Sequence, residues 1–215
     1  ASQGFGKVVA EKFVQAGANV MLCARGNRLL EETRDELTQS ASTGQQVLAQ
    51  RCDISQQEDV QTLVHTSIEA FERIHVLVNN AGVYGPLGLI EDVDWDDWVQ
   101  AININLMGTV LLSRALIPHM RQQNYGKIIT LSGGGATSPL PRITAYAASK
   151  AAVVRFMESL ALETKDAGID VNTVAPGALN TRLLDKVIDA GPDAVGDNFH
   201  KRMLKIKADG GAPMD

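Results

Sequence analysis

The sequence predicts an α/β protein, a doubly wound and mostly parallel sheet with helices on both faces. Three observations predict it. Short apolar or β-branched runs occur at 18–24, 46–52, 75–79, 126–132 and 169–174, the lengths expected of buried strands. Helical patterns separate them at 5–16, 27–40, 56–72, 95–122 and 145–165, with further pieces in 182–207. Strands alternating with helices call for right-handed crossovers and therefore a parallel sheet. Thirdly, glycine and asparagine turns fall at the carboxyl ends of the runs, where open α/β sheets bind ligands.

Composition narrows the class of function. The chain has 215 residues, 45% hydrophobic and 21% charged, the profile of a protein with a sizeable core. No linker or repeat divides it, so residues 1–215 read as one domain. No stretch approaches the roughly 18 uninterrupted apolar residues of a membrane span, and no secretory signal is recognisable. A formal net charge of −5 speaks against a broad nucleic-acid-binding surface. Cys23 and Cys52 end apolar runs and read as small buried hydrophobes in a reducing cytoplasm. No His, Cys, Asp or Glu cluster has metal-ligand spacing. Ser55 with Glu58 predicts a capping box at the start of the helix over 56–72.

The nucleotide end begins at once. Gly4-Phe5-Gly6 leads into a helix, and such a turn lets the backbone approach a pyrophosphate beside free N–H donors. In a doubly wound fold a strand precedes this turn; none is present before Ala1, and no strand follows the last helical pieces. Either the sequence is part of a longer polypeptide, which is the simpler expectation, or it is a fragment that folds poorly. The first strand ends in Ala24-Arg25. An acid there would bond the ribose 2′-hydroxyl of NAD, whereas a guanidinium suits the 2′-phosphate of NADP. NADP is the favoured reading over NAD, with a plain surface arginine as the alternative; Ser2 would add a hydroxyl contact. Asp53 either accepts from an adenine amino group or caps the next helix. Asn79-Asn80-Ala81-Gly82 ends a further strand in a turn that either touches a ligand or is only a turn.

The chemical end is Tyr146-Ala147-Ala148-Ser149-Lys150. Four residues apart on a helix, Tyr146 and Lys150 share a face. A nearby ammonium favours the phenolate and lowers the tyrosine pKa, so that a proton can move near neutral pH. By spacing alone the pair is equally an ordinary helix surface.

Taken together, Gly4-Phe5-Gly6, Asn79-Asn80-Ala81-Gly82, Asn103-Ile104-Asn105-Leu106-Met107-Gly108, the Tyr146 to Lys150 segment and Pro176-Gly177-Ala178-Leu179-Asn180-Thr181 resemble the short-chain dehydrogenase/reductase family in order and spacing. The resemblance covers residue 1 to about 185 and implies a Rossmann-like fold and an NAD(P)-dependent oxidoreductase acting on a carbonyl or secondary alcohol. It implies that Tyr146 is the general acid or base and that Lys150 bonds the nicotinamide ribose. Asn105 would hold a water of a proton relay. Ser2, Gln3, Gly4, Phe5, Gly6, Asp53, Ile54, Asn79, Ala81, Gly82, Pro176, Gly177, Leu179 and Thr181 would line the cofactor. A homodimer or homotetramer is implied as well.

One position departs from the family's pattern. A serine is expected 13 residues before the tyrosine, to stabilise charge on the substrate oxygen; here it is Gly133. Ser132 is the nearest candidate, with Thr137, Ser138, backbone N–H groups or water as alternatives. A one-residue shift along a strand reverses the side-chain face. A non-catalytic dinucleotide-binding or sensor protein is therefore the second reading. Residues 182–207 do not identify a substrate.

Overall fold

The computed structural model describes residues 1–177 and 179–211. Ala178 of the motif above and the last four residues of the expected strandless terminus lie outside that set. Helices and strands alternate as α1 (Gly4–Gln15), β1 (Val20–Ala24), α2 (Asn27–Ser40), β2 (Val47–Arg51), α3 (Gln57–Phe71) and β3 (Val76–Asn79). There follow α4 (Trp95–Ile102), α5 (Gly108–Gln122), β4 (Gly126–Leu131), α6 (Thr144–Thr164), β5 (Ile169–Val174), α7 (Arg182–Val195) and α8 (Asp197–Ala208). The expected boundaries hold to within one or two residues at each strand.

All strand pairing among the described residues is parallel. It falls into two groups, β1 with β2 and β3–β4–β5. β4 lies in the middle of its group and is the most thoroughly covered strand, with Ile128 wholly buried. Three core clusters wrap the strands. Leu22 and Val47 pack with Ala10, Val14, Leu30 and Leu37 of α1 and α2. Cys52, Val60, Leu63, Leu112 and Leu116 join α3 to α5. Met120, Ile128, Val153, Met157 and Ile169 join α5 and α6 to β4 and β5. Each such fully buried side chain contributes about 1.5–3 kcal/mol of transfer free energy, which is why these apolar runs can be short and still be fixed.

Three local features bear on the site. First, α4 and α5 are one continuous helix interrupted by a π-helical turn over Asn103–Met107, a form that concentrates at functional positions. This helix, Trp95–Gln122, is long and apolar enough by length and composition to cross a membrane, yet it buries Asn105, Thr109 and Ser113 within the protein. Second, the capping box expected at Ser55 is not formed. The Ser55 hydroxyl donates instead to the Asp53 carboxylate at 2.7 Å, and α3 starts at Gln57 without a side-chain cap. Third, α7 kinks at Gly191, which has φ +76°, and α7 and α8 pack on each other around Leu184, Val187, Val195 and Met203.

Candidate active site

Tyr146 and Lys150 project from the first turns of α6 toward the carboxyl end of β4. The Lys150 ammonium is buried and donates to the Leu131 carbonyl at 2.7 Å; it lies 5.8 Å from the centre of the Tyr146 ring. Burial costs the charged form of each group. It pushes the Lys150 pKa down to about 8 and the Tyr146 phenol up. The lowered tyrosine pKa expected from a neighbouring ammonium is therefore not seen here. The ammonium is dehydrated and turned to a carbonyl, and dehydration of the phenol dominates.

Asn105, on the π-helical turn, is the hub of the site. Its amide oxygen accepts from the Val83 N–H at 2.8 Å, and its amide nitrogen donates to the Val83 carbonyl and to the Ser149 hydroxyl, both at 2.8 Å. Ser149 in turn donates to the Tyr146 carbonyl at 2.8 Å. Asn105 thus ties the loop after β3 to the helix of Tyr146. Gly82 completes the arrangement, since a Cβ there would sit 3.5 Å from both the Asn105 amide oxygen and the Lys150 ammonium.

Gly133 is explained by its neighbour. A Cβ built there would overlap the Tyr146 hydroxyl oxygen and lie 3.1 Å from Cζ. The tyrosine hydroxyl occupies the notch that a side chain would fill. The backbone at Gly133 is extended, with φ −178° and ψ 175°, so successive side chains alternate in direction. Ser132 is half-buried, its N–H is held by the Val174 carbonyl at 2.9 Å, and among the described residues its hydroxyl makes no hydrogen bond to Tyr146. Thr137 and Ser138 are exposed. The structure brings Tyr146, Lys150 and Asn105 together, with Ser132 at the adjoining end of β4, bonded to β5 through its N–H.

The nucleotide end assembles from four loops. Gly4 has φ +57°, and α1 begins without a side-chain cap, leaving its first N–H groups free for an anion. A Cβ on Gly6 would meet the Asn80 amide nitrogen at 2.6 Å, and one on Gly4 would meet Thr181 at 3.7 Å. Gln3 accepts from Arg182 at 2.9 Å, so the start of α7 closes over the glycine turn. Ser2 and Phe5 flank the turn, half-buried, and the Ser2 carbonyl accepts from Thr33 at 3.2 Å. Pro176 and Leu179 are half-buried and Gly177, at φ +78°, is exposed, on the loop after β5. This cradle of close backbones, uncapped helix and absent Cβ atoms fits a dinucleotide.

Three residues expected at the cofactor also make contacts within the chain. Asp53 accepts from the Ser55 N–H at 3.0 Å as well as from its hydroxyl. Ile54 is buried against Gly108. Asn79 donates to Thr130 at 3.1 Å, while its buried amide oxygen has no partner; Ala81 is exposed beside it. Arg25 is exposed at the end of β1, and its carbonyl accepts from Arg51 Nε at 3.1 Å. Sequence reasoning missed Arg51, the second guanidinium there, and Ser149, the bridge from Asn105. It also missed Tyr84, whose ring meets the Tyr146 ring edge-on at 4.8 Å. A phenol two residues beyond a strand-end turn was the only available signal for the last.

Comparison with known proteins agrees with this geometry. The family model described as short chain dehydrogenase matches residues 1–190. L-fucose dehydrogenase of Oryctolagus cuniculus is 34% identical over 197 residues, which are 90% of this chain and 65% of that protein. Among solved structures, 7α-hydroxysteroid dehydrogenase complexed with NADH and 7-oxo glycochenodeoxycholic acid is 32% identical, with a TM-score of 0.81 over 87% of this chain and 71% of the other. A metagenomic short-chain oxidoreductase in complex with NADP is 33% identical, with a TM-score of 0.77 over 83% and 80%. Fold and site together define a Rossmann-like α/β protein of the nucleotide-binding kind. The chain belongs to the short-chain dehydrogenase family, and it spans about two thirds of the L-fucose dehydrogenase it matches.

Proposed function

We propose that this chain is an oxidoreductase interconverting a carbonyl and a secondary alcohol with NADP(H), Tyr146 being the general acid and base. The observation that carries the reading is the gathering of Asn105 and Lys150 at Gly82 and of the Tyr146 hydroxyl at Gly133, at the carboxyl ends of β3 and β4 and next to the glycine turn. When bound, the nicotinamide supplies or accepts the hydride. The chain's own residues manage the proton and the position of the substrate. Burial keeps the Tyr146 phenol protonated at neutral pH, the state needed to protonate an oxygen during reduction. Lys150, with a pKa near 8, is predominantly cationic at pH 7 and stabilises the phenolate left behind. Asn105, through Val83 and Ser149, ties the loop after β3 to α6.

NADP is favoured over NAD by the β1 terminus, where Arg25 and Arg51 stand together and no acid occupies the end of the strand. Relatives bound to NADP and to NADH both exist, so the preference rests on these two side chains. Residues 1–215 are read as one dinucleotide-binding unit acting in the cytoplasm. A homodimer or homotetramer is part of the same reading. Gly133 favours the sensor reading to the extent that a hydroxyl is wanting there. Assay of ketones, sugars and acyl thioesters with NADPH decides. Turnover supports the oxidoreductase, and cofactor binding without turnover on any class supports the sensor.

A further inference from the structure

Stabilising an oxygen that gains negative charge takes more than one donor, and the position that would carry the second hydroxyl is Gly133. The Tyr146 hydroxyl fills the notch at that glycine, so no side chain can be accommodated there without moving the tyrosine. Another group must face the same oxygen.

Resting on the functional reading above, we propose that the Tyr84 hydroxyl is the second hydrogen-bond donor to the substrate oxygen, working beside Tyr146. Tyr84 is fixed from both sides along its loop. On one side, Val83 is clamped by Asn105 through its N–H and its carbonyl. On the other, Gly85 has φ +75°, and a Cβ there would lie 2.7 Å from Ala101 and 3.2 Å from Ala145, so the chain is pressed against α4 and the first turn of α6. The ring itself is wedged between the Tyr146 ring, edge-on at 4.8 Å, and the α7–α8 cluster of Leu184, Val187, Val195 and Met203. Its hydroxyl has no hydrogen-bond partner among the described residues, although the ring is half-buried. A phenol held this firmly and left with an unengaged donor is arranged for a ligand.

The two phenols divide the labour by environment. Burial and the proximity of Tyr146 push the Tyr84 pKa up to about 12, so Tyr84 keeps its proton and only donates a hydrogen bond. Tyr146, beside the Lys150 ammonium, gives its proton to the oxygen and recovers it afterwards. No bond to Tyr84 is made or broken.

Tyr84→Phe is the test, because phenylalanine preserves the ring and its packing and removes only the hydroxyl. With NADPH and whichever of a ketone, sugar and acyl-thioester panel wild type reduces fastest, kcat is expected to fall by about 10- to 100-fold, the scale of losing one oxyanion donor. The KM for NADPH and the melting temperature are expected to stay at wild-type values. An active wild type whose Tyr84→Phe variant keeps kcat within about twofold overturns the role of Tyr84 and leaves the functional reading intact; a role in packing alone predicts that silent result. A wild type that reduces nothing in the panel overturns both. NMR of 13Cζ-labelled tyrosine gives a readout independent of turnover, since the chain has three tyrosines, Tyr84, Tyr125 and Tyr146. Saturation with the same substrate and NADP+ is expected to shift Tyr84 and Tyr146 together and to leave Tyr125 in place. A shift of Tyr146 without one of Tyr84 contradicts the proposal.

Discussion

Gly133 and Lys150 carry the residue-scale predictions. A methyl group on Gly133 overlaps the Tyr146 hydroxyl, so the phenol must move. Gly133→Ala and Gly133→Ser are both expected to lower turnover at least about tenfold, since misplacement of a reacting group by about 1 Å costs up to two orders of magnitude. Restored or increased turnover in Gly133→Ser, read from steady-state kinetics, would show that the notch is not fixed by Tyr146. Lys150 carries a buried cation whose folded pKa of about 8 lies below the unfolded value of about 10.4. Between those values the unfolded chain binds more protons, so stability rises with pH through that window. Below about pH 8 the buried charge imposes a penalty on the order of 3 kcal/mol, offset in part by the bond to Leu131. Lys150→Met is therefore expected to be the more stable protein at pH 7 and to lose that advantage by about pH 10.5. Urea denaturation at both pH values checks it, and a variant less stable at pH 7 contradicts it. The sequence made Tyr146 and Lys150 legible because an i,i+4 pair on a helix has one possible juxtaposition. It did not disclose the direction of the tyrosine pKa, which depends on burial among residues far away in the chain.

Elements decide which of these side chains meet. The π-helical turn at Asn103–Met107 turns Asn105 onto the loop after β3, where its amide makes three hydrogen bonds, two to Val83 and one to Ser149. Asn105→Ala leaves the half-buried Val83 N–H and carbonyl and the buried Ser149 hydroxyl without their amide partner, at up to about 1–3 kcal/mol for each unsatisfied group. A loss of about 2–4 kcal/mol in unfolding free energy is expected; a loss below about 0.5 kcal/mol would mean that the loop finds other partners. A long apolar helical pattern at 95–122 was readable from periodicity. The extra residue in its middle was not, since a π turn is a response to packing rather than to composition. The Ser55–Glu58 pattern misled for a related reason. The Asp53 carboxylate accepts from both the N–H and the hydroxyl of Ser55, a competition that a four-residue motif does not reveal.

At the scale of the molecule, strand order brings residues as much as 179 positions apart to one crevice. Gln3 bonds Arg182, and Gly4 lies against Thr181. Alternation of strands and helices was enough to foresee this gathering, because parallel strands deliver their carboxyl ends to one side of a sheet. The partition of the strands into β1–β2 and β3–β4–β5 agrees with the expectation that the strand normally preceding the glycine turn, a central one, is absent here. The closing of α7 and α8 over Tyr84 was not foreseeable from short runs alone, since long-range packing fixes it. The proposed NADP preference belongs to this scale as well, since it rests on Arg25 and Arg51 at the neighbouring ends of β1 and β2. Replacing Arg25 and Arg51 together by Ala is expected to raise the KM for NADPH by at least about tenfold, as for loss of a charge-assisted contact of about 1.5–3 kcal/mol, and to change the KM for NADH by less than about twofold. Equal effects on the two cofactors would assign the pair a structural role. The central claim, that Tyr146 moves the proton, is tested most directly by Tyr146→Phe. Turnover of the carbonyl panel with NADPH is predicted to be abolished while NADPH still binds with wild-type affinity; turnover retained in that variant would contradict it.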